Sequence, residues 1–305
     1  HDTPEKRNVL AFARAVTDPD SPDFVPVAER IAVFDNDGTL WCERPAYPQF
    51  SFAFHVLAEK ATQEPGLADQ QPYKAALAGD MEWLKGHLSN ETLPAFIEMG
   101  LRAAAGATQH DFEWQATTWL ANTLHPHFGV PYTSLVYKPM VELVEYLRHH
   151  AFQLFISSGG GMDFVRLFSE EAYGIPRQNV IGSNMVLTWE RREDGPVLVR
   201  QAGLVEPFND GPGKPINIQL HVGRPPILTA GNSNGDLQMM EFAAANRHSH
   251  LNLLLRHDDA DREFAYDHSA ERIQQAARER QWTTISMKRD FKSIFAEDMD
   301  ARQEG

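Results

Sequence analysis

Two carboxylates stand one residue apart in the run Asp35-Asn36-Asp37-Gly38-Thr39-Leu40. Such a pair can divide a phosphoryl transfer: one carboxylate attacks phosphorus while the other handles the proton of the leaving group. Both can reach one crevice because the chain is turning, and Gly38 permits the turn. Taken alone the string could also be a plain turn or a casual metal site. Three further clusters add to it. Ser157-Ser158 runs into Gly159-Gly160-Gly161, supplying hydroxyls and backbone N–H groups that suit a phosphate where a helix begins. Gly213-Lys214-Pro215 offers an ammonium that could offset charge on a pentacoordinate phosphoryl group. Gly231-Asn232-Ser233-Asn234-Gly235-Asp236 gathers side-chain oxygens of the kind a hard cation such as Mg2+ prefers. Singly, each has a bland reading as a glycine loop, a solvated lysine or an Asn/Gly turn.

The elements that must position these clusters are short apolar runs. Arg30 to Phe34 reads as a buried strand delivering Asp35 at its carboxyl end, and Phe152 to Ile156 as a second strand feeding the serines. Ile227 to Ala230 and Leu251 to Leu255 read as a third and a fourth. Helices are expected over Val136–His149, Met162–Tyr173, Leu237–Ala245 and Glu271–Arg280. Val180–Glu190 and Val197–Arg200 read as a hairpin turning at Arg192-Glu193-Asp194-Gly195, and Thr283–Met287 as a last extended piece. From about Phe50 to Leu124 the periodicity is helical, through Phe52, Leu57, Leu84, Phe96, Ile97, Phe112 and Trp119, punctuated by glycine and proline. Alternating strands and helices imply an α/β, Rossmann-like, mostly parallel sheet with helices on both faces, interrupted by a helical insertion. Ligands of such sheets sit outside the carboxyl ends of the strands, which the acidic and glycine-rich clusters directly follow, while Lys214 lies in a loop opening a probable helix.

In this order the four clusters resemble the haloacid dehalogenase (HAD) superfamily. The resemblance covers roughly residues 28–45 and 135–260, and the insertion resembles a C1-type cap, as in phosphoserine phosphatases, in placement and helical character. It implies a core of residues 1–45 and 131–305 and a cap of residues 46–130. It further implies a Mg2+-dependent phosphomonoester hydrolase acting on a small phosphorylated metabolite through an aspartyl-phosphate. Asp35 would be nucleophile and metal ligand. Asp37 would be general acid/base, with its backbone carbonyl on the metal. Thr39 would support the loop around the phosphoryl group. Ser158 or Ser157, with the Gly159 amide, would bind a phosphoryl oxygen. Lys214 would pair with Asp35 and the phosphoryl group, and Asp236 would hold the metal directly or through water. Where many relatives carry an acid, this chain has Asn232, whose amide oxygen can still coordinate Mg2+ with one negative charge fewer. Glu43 could meet a substrate ammonium, Trp41 could form a stacking wall, and Arg102 could meet a carboxylate. A phosphotransferase or phosphomutase of the same fold, or a phospho-ligand binding module weakened at Asn232, stay open as alternatives.

The bulk numbers narrow the partners. With 42 acidic residues against 28 basic ones the net charge is −14, which argues against nucleic acid and membrane surfaces. An anionic substrate must then be met by local cations. The single cysteine, Cys42, reads as a packing residue, and no disulfide within the chain is possible. No histidine has metal-ligand spacing, so His55, His125, His127 and His257 receive no catalytic role. The sequence begins at His1, and chains resembling it often carry export signals; a periplasmic or secreted location is therefore expected ahead of a cytoplasmic one.

Overall fold

The computed structural model describes residues 1–86, 100, 101, 103–267 and 269–296. Short apolar runs separated by helices leave their residues nowhere to go but the middle of a covered sheet, and that is where they lie. The strands are β1 (Ile31–Phe34), β2 (Gln153–Gly161), β3 (Val180–Arg192), β4 (Gly195–Val205), β5 (Leu228–Gly231), β6 (Leu251–Asp258), β7 (Ala265–Tyr266) and β8 (Thr283–Ser286). Their order is β4-β3-β2-β1-β5-β6-β7, with β8 also beside β6. Pairs β1/β2, β1/β5, β2/β3, β5/β6 and β6/β8 are parallel, whereas β3/β4 and β6/β7 are antiparallel. Phe34 is level with Ile156 on one side and Ala230 on the other, so three carboxyl ends open at the same height. The chain passes from β1 to β2 and later returns on the far side to β5, which makes β1 the switch point of the sheet.

Two compact units divide the chain: His1–Cys42, Thr133–Ser183 and Pro207–Gly305 in the first, Glu43–Tyr132 and Asn184–Glu206 in the second. In the first, Ile31 and Val33 pack with Ile181, Ile218 and Met239, while Met240, Leu254, Ile273, Ala277 and Trp282 form a second cluster. Helix Pro4–Thr17, for which the sequence reading assigned nothing, is capped by Thr3 and buries Val9, Ala13 and Val16 at helical spacing. The helix expected over Met162–Tyr173 is two short ones, Met162–Val165 and Ser169–Tyr173, separated where the Phe168 ring turns in to stack at 4.4 Å on Trp41. Met287 opens a further short helix, Met287–Asp290, instead of extending β8.

In the second unit, helices Pro48–Gln63, Tyr73–Ala78 and Met81–Gly86 close over Phe54, Leu57, Ala75, Ala76 and Leu84. Helix Gln109–Asn122, which begins in a Thr108/Asp111 capping box, packs Phe112 and Trp119 on Phe52. The hairpin residues of β3 and β4 group here, where the sequence reading had kept all of 131–305 in one domain. The reason is a pairing invisible along the chain. Gly106 N–H donates to Arg200 O at 2.8 Å, Arg200 N–H returns to Ala107 O at 3.0 Å, and Thr108 bridges Val199. Phe96, Ile97 and Arg102 lie outside the described residues. Among those described, no helix is long and apolar enough to cross a membrane.

Candidate active site

Asp35 is the first residue beyond β1, and its N–H donates to Ala230 O at 2.9 Å, which locks it beside β5. The chain then turns tightly. Asn36 O accepts from the N–H groups of Thr39 (3.1 Å) and Leu40 (2.8 Å), and Gly38 takes φ 72°, the left-handed region that a side chain disfavours. The turn brings the Thr39 hydroxyl within 3.3 Å of both Asp35 Oδ2 and Asn232 Oδ1. Asp37 accepts from the Trp41 indole N–H at 2.9 Å on one oxygen and from the Ser158 hydroxyl at 3.3 Å on the other.

Lys214 arrives in the first turn of helix Gly213–Val222. A Cβ at position 213 would collide with the Phe208 carbonyl oxygen, so only glycine lets that turn sit close enough to bury the lysine. Its Nζ lies 2.6 Å from Asp35 Oδ1 and 2.6 Å from Asp236 Oδ1, with all three side chains buried. The other oxygen of Asp236 accepts the N–H groups of Asn232 and Ser233, each at 3.0 Å.

The electrostatics follow from burial. Loss of water pushes the Asp35 carboxyl well above its ordinary range, the Asp236 charge adds to this, and Lys214 opposes it. Burial likewise raises Asp37 against hydrogen bonds from Trp41, Asn36 and Ser158, so this group tends to keep its proton. Burial works against the Lys214 ammonium too, but Asp236 and then Asp35 outweigh it and hold it charged. Three carboxyl groups thus share one ammonium. A divalent cation would relieve that excess, and the donors nearby, Asp35 Oδ2, Asn232 Oδ1 and the Thr39 hydroxyl, are all oxygens, as Mg2+ requires. Among the described residues no three His, Cys, Asp or Glu side chains form a metal cluster.

Asp35, Asp37, Thr39, Ser158, Lys214, Asn232 and Asp236 therefore come together through these contacts. The register left open between the serines resolves by direction: Ser158 turns to Asp37, whereas Ser157 accepts from Asn209 Nδ2 at 3.2 Å. The triple glycine leads into helix Met162–Val165 as expected, with Gly161 at its N-cap, but all three glycines are also part of a strand. It remains in β2, bulged between Ser157 and Gly161, with Gly160 N–H donating to Ser158 Oγ at 3.0 Å and Gly159 O accepting from Ser183. Trp41 is not a wall facing substrate; at 1% exposure it is consumed by Phe168 and Asp37. On that loop Asp236 accepts from Lys214 and two N–H groups, while Asn232 Oδ1 accepts from the Thr39 hydroxyl. Glu43 falls in the second unit, buried, with Arg44 at 3.8 Å.

Sequence reasoning missed three supports. Asn209, fully buried, also donates to Ser158 O at 2.8 Å. Tyr173 donates to Asn36 Oδ1 at 3.1 Å, its phenol pushed up by burial and by Asp37 and Asp35. His257 reaches the Gly38 carbonyl at 2.7 Å. Each partner is more than 50 residues away, and no local pattern marks it.

A family model, haloacid dehalogenase-like hydrolase, matches residues 32–241. No curated protein matches the sequence. Among solved structures, a protein of unknown function from Bordetella pertussis Tohama I aligns at 14% identity and TM-score 0.52, covering 84% of this chain and 98% of its own. A conserved, functionally unknown protein from Anaerococcus prevotii DSM 20548 aligns at 14% identity and TM-score 0.53, covering 88% and 89%. Likeness at this identity establishes the fold.

Proposed function

The chain belongs to the haloacid dehalogenase-like hydrolase family, and from that premise we propose that it is a Mg2+-dependent phosphatase that hydrolyses a small phosphomonoester through an aspartyl-phosphate on Asp35. The observation that carries this reading is the buried set Asp35–Lys214–Asp236 with Asp37 across the same turn: a nucleophile oriented by an ammonium and a neighbouring carboxyl whose hold on a proton burial strengthens. Residues 43–132 and 184–206 would serve as the cap that selects the substrate.

Lys214 fixes Asp35 Oδ1, leaving Oδ2, on the Thr39 side, as the attacking oxygen. The Oδ2–phosphorus bond forms as the ester P–O bond breaks, and the Asp37 proton passes to the departing alkoxide oxygen. Ser158 and the Gly159 amide hold the non-bridging oxygens, and Lys214 offsets charge developing on them. Asp37, now a carboxylate, takes a proton from water. That oxygen attacks phosphorus, the bond to Asp35 breaks, and inorganic phosphate leaves with Asp37 protonated again. Trp41 and Ser158 keep Asp37 oriented through both halves. Mg2+ would be held by the Asp35 carboxylate, the Asp37 carbonyl and the Asn232 amide oxygen, where it would neutralise phosphoryl charge. Asp37, Gly38 and Thr39 argue for phosphoryl transfer over dehalogenation.

Turnover of a phosphomonoester panel with Mg2+ or with EDTA tests the activity. In 18O-water, the released phosphate should carry the label and Asp35 none. Asp35→Asn should lower turnover by about 10⁴-fold or more with the fold intact, because the amide is nearly isosteric and not nucleophilic. Retained activity in that variant, or label in Asp35, contradicts the mechanism. Transfer to a second alcohol without phosphate release favours a phosphotransferase.

A further inference from the structure

His257, on β6, is 5% exposed, and its ring stacks on Tyr266 with centroids 4.3 Å apart and 16° between planes. Nε2 lies 2.7 Å from the Gly38 carbonyl oxygen and Nδ1 3.2 Å from Glu263 Oε2. A carbonyl oxygen only accepts, so Nε2 carries a proton. Glu263, itself buried, accepts from Phe264 N–H (2.7 Å), the Tyr137 hydroxyl (2.9 Å) and the Cys42 thiol (3.2 Å). Donors converging on both of its oxygens suit a carboxylate and leave no acceptor for a carboxylic proton. Nδ1 therefore also carries a proton, and the ring is an imidazolium between two acceptors. Of the charged residues flanking it, Arg256 is exposed, and Asp258 is engaged elsewhere, by Ser286 Oγ at 2.7 Å and Lys288 N–H at 3.0 Å.

We propose that His257 is a positioning residue: a charged imidazolium, clamped by Glu263, that grips the Gly38 carbonyl from outside the pocket and holds the Asp35–Thr39 turn in its reactive shape. The gripped peptide joins Gly38 to Thr39, directly after Asp37. Its rotation would carry the Thr39 hydroxyl away from Asp35 and Asn232, and would release the turn that presents Asp37. Glu263 gathers the same region from three sides, through Cys42 just past the turn, Tyr137 and His257. Cys42 N–H and Tyr137 N–H are themselves tied, to Leu135 O at 3.0 Å and Leu40 O at 2.8 Å. His257 touches no reacting atom. Its effect on rate rests on the phosphatase reading, whereas its protonation state does not.

Full-length protein labelled with 15N-histidine decides the protonation state. Two-bond proton–nitrogen spectra should show both His257 nitrogens protonated in the folded protein at about pH 7. The signal is assigned by its loss in His257→Gln. In Glu263→Gln the ring should become a neutral single tautomer. With the substrate found by screening, His257→Gln should keep KM within about threefold and lower kcat by roughly 10- to 100-fold, the size expected of a small misplacement of reacting groups. A neutral ring at pH 7 in the wild-type protein overturns the proposal, as does a folded His257→Gln with kcat within about twofold of wild type. If His257→Gln fails to fold, the wild-type and Glu263→Gln spectra still decide. If the wild-type protein releases no phosphate from any monoester, the phosphatase reading fails while the spectra still judge the clamp.

Discussion

Replacing Lys214 by methionine keeps most of the side-chain volume, removes one ammonium, and leaves Asp35 and Asp236 buried, each without the partner it held at 2.6 Å. Breaking a buried pair costs about 3–5 kcal/mol, because the charge left behind has neither water nor counter-ion. Two pairs share the one ammonium here, so their costs are not additive. Asp236 also keeps two backbone donors, so the total should stay near about 4 kcal/mol. At roughly 2–4 °C per kcal/mol, that is a fall of about 10 °C in the unfolding transition of the first unit. The pH dependence carries the diagnosis. In the wild type the folded pKa of Lys214 is raised, so its stabilisation is fully present below the ordinary lysine value and is lost only as pH rises through the folded one. In the variant Asp35, already raised by burial, loses the ammonium that opposed the rise. Its penalty is absent below about pH 4, the ordinary aspartate value, and grows as pH rises through the folded one. Melting curves in EDTA from about pH 5 to 8 should therefore show a gap between variant and wild type that widens with pH. Adding Asp236→Asn to the variant should narrow it. A variant that melts within about 2 °C of wild type, or a gap indifferent to pH, refutes the argument that the ammonium is what keeps these carboxylates buried.

Asp37→Asn should lower turnover by about 10²- to 10⁴-fold. Because burial raises the folded Asp37 pKa, the wild type loses stability as pH rises from the ordinary aspartate value through the raised one; the amide abolishes that loss, so the metal-free variant should melt above wild type at pH 7. Ser158→Ala, whose hydroxyl faces Asp37, should raise KM with little change in melting. Ser157→Ala, whose hydroxyl pairs with buried Asn209, should instead cost about 1 kcal/mol of stability in denaturant titrations. Asn232→Asp should lower the melting temperature in EDTA and restore it with Mg2+, since a further carboxylate joins a pocket served by one ammonium.

The parts of the fold and site legible in the sequence share one physical property: the information is local. β1, β2 and β5 are sandwiched between other strands, so they read as continuous apolar runs, and each delivers its polar cluster at the carboxyl end. Asp35, Asp37 and Lys214 could be singled out because carboxylates beyond a buried strand, and a lysine tightly preceded by glycine, are costly placements without a task. What escaped depends on contacts across the chain. Nothing around Val199 or Gly106 announces that the hairpin pairs with the segment before helix Gln109–Asn122. The direction of Ser157 against Ser158 is set by strand alternation and a bulge, which one-residue slippage would invert. Trp41 looked like a surface available to substrate because an aromatic beside a motif has no sequence signature of burial; Phe168 supplies it. His257 lacks metal-ligand spacing, and Glu263 lies in no motif, so neither stands out along the chain. The signal that could have found them is a histidine ending an apolar strand with an acid six residues on.

On the phosphatase reading, Asn232 would explain how a protein of net charge −14 draws in an anion. In the state that mechanism requires, with Asp35 ionised and Asp37 protonated, the buried set of Asp35, Asp236 and Lys214 would carry one net negative charge. A divalent cation would turn that into one net positive charge facing the substrate. An aspartate at position 232 would bring the loaded pocket to neutrality instead. Distant surface charges are screened over about 8 Å at physiological salt, so the local sign governs whether a phosphate dianion settles. The amide therefore exchanges some affinity for the metal against affinity for the anion. Asn232→Asp should accordingly bind Mg2+ more tightly by calorimetry and inorganic phosphate more weakly, two shifts of opposite sign from one substitution. Tighter binding of both would mean that charge at this position does not set the balance, and that Thr39 and the loop geometry do.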